Sequence, residues 1–243
     1  MTPRDPAAGP GRGALWLLAD SRLPTGGHAH SAGVEAALTR GDVRTPADVQ
    51  RFLAARVPTT GLVSAAAAAA ACALASRRDA GADWAPWDAA VSARTPVAAL
   101  REASRVQGRA LARTARTVWP ATGSATLPAL DALGRRPHQP LVLGVVTAAA
   151  GGTPTDAAGL AVHHLVGQCC SAVVRLLGLD PLALAAVHAR ALEAAAAAVE
   201  EAATEGADAA SADDPGALPS ATTPRPEVLA VLHARAEGAL FAS

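Results

Sequence analysis

Residues 17–41, "LLADSRLPTGGHAHSAGVEAALTRG", gather the side chains in this chain that could do chemistry. His28 and His30 stand two apart, Ser31 follows them, and Gly26 and Gly27 lie just behind, after Pro24. Such a bend is open to four readings: a metal site, a nucleophile on a sharp turn, a phosphate cradle, or a helix start. Histidines at i and i+2 diverge on a helix and converge only on extended or turned backbone. His163 and Cys170, seven apart, share a helical face, but no H-x-x-x-H or C-x-x-C spacing occurs. Transient binding by His28 and His30 is the form of metal contact left open. For a nucleophile, "AHSAG" at 29–33 is one residue short of G-x-S-x-G, and that elbow needs a buried strand which "ALWLLADSRLP" does not supply. A phosphate cradle at Gly26 and Gly27 before a helix N-terminus has favourable electrostatics but no Lys to complete it. The enzymatic alternative is therefore a small metal- or Ser-dependent hydrolase using His28, His30 and Ser31. In the non-enzymatic reading the bend reverses the chain between two helices while Ser31 caps or packs.

Composition limits these choices. Apart from histidine, every basic residue is Arg, and the 243 residues contain no Lys, Tyr, Ile or Asn. A phosphate-binding loop of the G-x-x-x-x-G-K-[ST] kind and imine chemistry both require Lys, so neither fits. Zero net charge with 2% aromatics leaves little for phosphate neutralisation or base stacking, and nucleic acid is not an expected partner. The Ala-rich run 61–75 is shorter than a membrane span, so it is expected to be a buried helix and no membrane is expected. Three cysteines without a disulfide framework, and no basic segment and apolar run ahead of a cleavage site, point to the cytoplasm.

The elements that must position the bend read as helices throughout. Half of the residues are apolar, enough for a core, and no segment alternates as a half-buried strand would. Thr-Pro recurs at 45–46, 95–96 and 153–154 as a start signal, with Asp48 and Asp156 placed for capping boxes. Helices are expected after each, and also over 28–40, 61–78, 86–93, 126–133, 140–150 and 181–204. Arg101, Arg105, Arg109 and Arg113 follow at steps of four on one of them, either as a solvated face or as a docking surface for an acidic partner. The expected architecture is all-α, a single-domain bundle of about eight to ten helices over 13–205, behind a flexible N-terminus at 1–12. Residues 206–226, rich in Pro, Gly, Ser and Asp, read as a disordered linker, and 227–243 as a C-terminal docking helix ending on Leu240 and Phe241.

The opening segment resembles the N-terminal signature of the urease accessory protein UreF family, L-P-x-G-G, an aromatic-rich pair, then S-x-G-L-E. Leu23, Pro24, Gly26, Gly27, Ser31, Gly33 and Glu35 occupy those places, while His28 and His30 stand where Phe and Tyr are common. The likeness continues through "SRVQGRALARTARTVW", "HQPLVLGVVTAAAGGTP" and "AVVRLLGLDPL", which contains Arg175. It ends in "LHARAEGALFAS", where His233, Leu240, Phe241 and Ser243 match the family's closing motif, but Ala234 replaces a Glu and Ala239 an Arg.

The resemblance implies a dimeric all-α protein without catalysis of its own. Such a protein would sit between the accessory protein UreD (also called UreH) and the GTPase UreG, in a complex that delivers nickel to apo-urease. It would hold no permanent cofactor, nickel being handled transiently by the complex. The partner-binding residues it implies are Pro24, Gly26, Gly27, His28, His30, Ser31, Glu35, Arg175, His233, Leu240, Phe241 and Ser243, with the C-terminal segment contributing to the UreD contact.

Overall fold

The computed structural model describes residues 12–27, 31–77, 82–119, 126–221, 227, 228 and 231. Eleven α-helices occupy them: α1 (Arg12–Ala19), α2 (Val34–Thr39), α3 (Pro46–Arg56), α4 (Leu62–Ser76), α5 (Trp84–Ala93), α6 (Ala98–Val118), α7 (Thr126–Ala132), α8 (Gln139–Ala149), α9 (Pro154–Leu177), α10 (Pro181–Ala194) and α11 (Ala196–Ala212). No strand occurs among the described residues, and the all-α single-domain architecture expected from the sequence holds.

Two of the three Thr-Pro signals work as expected. The Thr45 and Thr153 hydroxyls accept from the Asp48 and Asp156 backbone N–H groups, and each Asp side chain accepts in return from the cap backbone. The third signal belongs to the preceding helix: Thr95 donates its hydroxyl proton to the Val91 carbonyl at 2.9 Å, and α6 begins after Val97 with no side-chain cap.

The core is built on α4, whose Ala65–Ala71 and Cys72 are fully buried against α8, α9 and α11. Alanine lets these helices approach until only glycine fits at the crossings. A Cβ at Gly144 of α8 would lie 2.2 Å from the Ala68 carbonyl oxygen, and one at Gly206 of α11 would lie 2.3 Å from that of Ala66. The Ala-rich run is thus a buried helix, as expected, but it does not stand alone. A π-helical turn, Val57–Gly61, carries the chain past Pro58 and joins α3 to α4 in one stretch, Pro46–Ser76. By length and composition that stretch and Pro154–Leu177 could each cross a membrane; here 67% and 56% of their most apolar windows are buried inside the protein.

The helix expected over 28–40 begins only at Val34, after the non-helical Ser31–Gly33, and the structure departs from the expectation at three further places. The 181–204 helix is two, α10 and α11, bent by 51° at Ala195. The supposed linker begins as helix, because α11 runs to Ala212 with Gly206, Ala209 and Ala210 buried. A 3₁₀ turn at Pro215–Ala217 and the buried Leu218 follow, and the Arg94 guanidinium donates to the carbonyls of Gly216 (2.8 Å), Leu218 (2.6 Å) and Pro219 (2.9 Å). Small residues misled the composition argument here: they bury little area each, yet they are what a close helix crossing requires. The rest of the expected linker, 222–226, and most of 227–243 lie outside the described residues. Lastly, the first two arginines of the α6 stripe are held within the fold, while Arg113 is exposed. Arg105 pairs with Asp88 at 2.7 Å and donates to Ser92 Oγ at 3.1 Å, while Arg101 donates to the carbonyls of Thr95 and Pro96, both at 2.7 Å.

Candidate functional site

The first part of the signature segment, up to Gly27, folds as a loop laid between α6 and α9. Asp20 closes its first turn, accepting from both the backbone and the guanidinium of Arg22, whose side-chain hydrogen bonds hold the Asp20 carboxyl down at about 2. The Pro24 carbonyl then accepts from Thr114 Oγ1 at 2.7 Å. Gly26 takes a φ of +81°, a conformation glycine adopts freely, and a Cβ there would meet Ala110 Cβ at 3.2 Å. Gln107, Ala110 and Thr114 sit three and four residues apart, so one stripe of α6 carries the loop. Gln168 of α9 lies under Gly27, and its amide donates to Gln107 Oε1 at 3.1 Å, tying the two supporting helices together.

On its other flank the loop leaves α1, whose last carbonyls have no intrahelical donor. Two adjacent histidines of α9 supply them: His163 Nε2 lies 2.9 Å from the Ala19 carbonyl oxygen and His164 Nε2 2.8 Å from that of Leu18. A carbonyl can only accept, so both rings carry their proton on Nε2. The Nδ1 of His163 lies 3.3 Å from His188 Nε2. Burial lowers the pKa of His164, and burial with the neighbouring His163 lowers that of His188, which keeps both rings neutral near pH 7. In this triplet His163 has a hydrogen-bonded structural role.

Loop and helices enclose a surface hollow of about 60 Å³ lined by Asp20, Thr25, Gly27, His163, His164 and Arg175, among others. Gly27 and Arg175, far apart in the sequence and both expected at the site, thus meet at one hollow. Arg175 is exposed and donates through Nε to the Ser171 carbonyl. Trp16, on the neighbouring helix α1, is 76% exposed. Gly26 is half-buried and Pro24 exposed.

Ser31 and Glu35, both expected at the partner surface, are buried in this chain. Ser31 is 1% exposed, its Oγ has no hydrogen-bond partner and it lines neither this hollow nor the larger cavity described below. It therefore packs and does not cap: α2 starts from Gly33, at φ +81°, with no side-chain cap. Glu35 is 8% exposed in the first turn of α2. A buried hydroxyl with no open route is poorly placed as a hydrolytic nucleophile. His28, His30, His233, Leu240, Phe241 and Ser243 lie outside the described residues. Among the described residues no group of three His, Cys, Asp or Glu is arranged to hold a metal.

His164, Gln107, Gln168 and Thr114 were not singled out by the sequence. A polar residue on a helix reads as solvated face, and only the position of the loop against α6 and α9 gives these four their task.

Comparison with known proteins bears on this architecture directly. The UreF family model matches residues 43–192. The urease accessory protein UreF of Mycobacterium marinum is 40% identical over 229 residues, covering 94% of this chain and 97% of that protein. Its namesake in Mycobacterium sp. strain JLS is 42% identical with the same coverage, and that of Mycobacterium tuberculosis H37Ra is 44% identical over 69% of this chain and 74% of its own length. With a matching family model and identity of this order along nearly its whole length, the chain belongs to the UreF family of urease accessory proteins.

Proposed function

We propose that this chain is a non-catalytic scaffold that joins UreD (UreH) and the GTPase UreG in the complex inserting nickel into apo-urease. It works as a homodimer in the cytoplasm, with no permanent cofactor. The observation that carries the reading is the placement of the signature loop. Thr114 of α6 holds its backbone by a hydrogen bond, Gln107 and Gln168 pack against its glycines, and it frames a hollow with Arg175, while the exposed Trp16 stands on α1, the helix that leads into it. A loop held in this way, with an exposed aromatic on the helix before it, suits recognition of a protein surface. Ser31 and Glu35 serve this surface from beneath, by holding its shape, while Pro24, Gly26, Gly27 and Arg175 face the partner. His28 and His30, which follow Gly27 in the sequence, are the side chains through which nickel passes transiently, and His233, Leu240, Phe241 and Ser243 anchor UreD.

Co-expression of the tagged chain with UreD, UreG and the urease subunits tests this. The chain should co-purify with UreD and UreG. Trp16→Ala, and separately removal of residues 236–243, should each weaken capture about tenfold or more with helicity unchanged. Capture unaffected by both changes would contradict the proposed surface.

A further inference from the structure

A second cavity, of about 160 Å³, lies deeper in the fold, between the π-helical turn and α4 on one side and α6, α8 and α9 on the other. Its lining includes two arginines, Arg56 and Arg94. Arg94 is occupied by the carbonyls of Gly216, Leu218 and Pro219. Arg56 is different: it is 4% exposed, its Nε has no hydrogen-bond partner, and it forms no ion pair with any described carboxylate. The Phe52 ring lies 5.8 Å from the guanidinium carbon, and the Glu227 charge acts on it from farther off. Burying a guanidinium without a carboxylate in direct contact is strongly unfavourable, so such a group in a cavity wall points to room for an anion. The local backbone agrees. Arg56 ends α3 where the π-helical turn begins, a feature often found at functional sites, and Thr60 and Ser64 from the turn and from α4 line the same space.

We propose that this cavity is a binding site for a small carboxylate, with Arg56 as its charged anchor and Thr60, Ser64 and Gln107 as polar groups around it. The volume holds roughly five waters' worth of space and is about half of what the smallest drug-sized pockets provide, so a nucleotide does not fit. A metal cation is disfavoured by the guanidinium itself. The carboxylate has two possible sources, a free small acid or Glu227 of the chain's own C-terminal segment. Glu227 lines the cavity, and its charge bears on Arg56 from beyond ion-pair distance. The site is independent of partner docking, and its test needs no partner.

Thermal unfolding of the full chain is followed while sodium acetate replaces sodium chloride at constant ionic strength. If a free acid is the ligand, acetate raises Tm saturably in the wild type and Arg56→Met abolishes the rise. If Glu227 is the source, the wild type does not respond, Glu227→Gln does, and adding Arg56→Met removes that response. Should Arg56→Met fail to fold, Ser64→Leu fills the cavity while keeping Arg56, and it should abolish the response in the same way. The proposal is overturned if acetate has no effect on any variant, or an effect that survives Arg56→Met or Ser64→Leu.

Discussion

His138 shows at the scale of one residue how this protein couples burial to pH. Its ring is fully buried, with Nε2 2.9 Å from Ser92 Oγ and Nδ1 3.0 Å from Ser104 Oγ. Burial first, and then the nearby Arg105 charge, bring its pKa down to about 4. In the unfolded chain the same ring takes up its proton near the ordinary value of about 6.5. Between those values the unfolded state holds more protons, so stability falls as pH drops through that window and the loss ends below about 4. Urea unfolding at pH 7 and pH 5 should show a loss of roughly 1–2 kcal/mol from this group. His164 and His188, also depressed, add to it in the same direction. His138→Gln should flatten part of the slope; an unaltered slope would show that the ring titrates normally in the fold.

Helix crossings, one scale up, place opposite demands on glycines that look alike in sequence. At Gly144 the close approach to α4 leaves no room, since an added Cβ would sit 2.2 Å from a backbone carbonyl and 2.7 Å from the Cys72 nitrogen. At Gly159 of α9 the nearest neighbour is a Val199 methyl at 3.9 Å, an ordinary contact. Alanine gains up to about 1 kcal/mol of helix propensity over glycine, whereas overpacking a core costs about 1–3 kcal/mol, so the outcome should differ in sign. Gly144→Ala should lower the urea midpoint and Gly159→Ala should raise it. Equal or higher stability for Gly144→Ala would mean that α4 and α8 are less tightly apposed. The same contrast explains what could be read in the sequence. Capping boxes at Thr45 and Thr153 and the long apolar periods of α3 and α9 are local signals, and they were legible. The continuation of α11 through Gly206–Ala212 was not, because its helical state depends on burial against α4, which nothing nearby in sequence announces. Thr95 misled for a related reason, since the helix before it claimed its hydroxyl.

For the whole molecule, the signature that looked like an active site is a surface loop carried by distant helices. Its glycines were legible as a tight bend, and Gly26 and Gly33 do adopt left-handed backbone. The meeting of Gly27 with Arg175, and the support from Gln107, Gln168, His163 and His164, was hidden by separations of dozens of residues. Such an arrangement holds its loop firmly and leaves Trp16 outward, which suits a scaffold acting through other proteins. The most direct test of that role is the nickel content and activity of urease produced from its structural subunits with UreD and UreG, with and without this chain. Loaded, active urease is expected when the chain is present, and near-background nickel and activity when it is absent. Urease equally loaded and equally active without it would contradict the account.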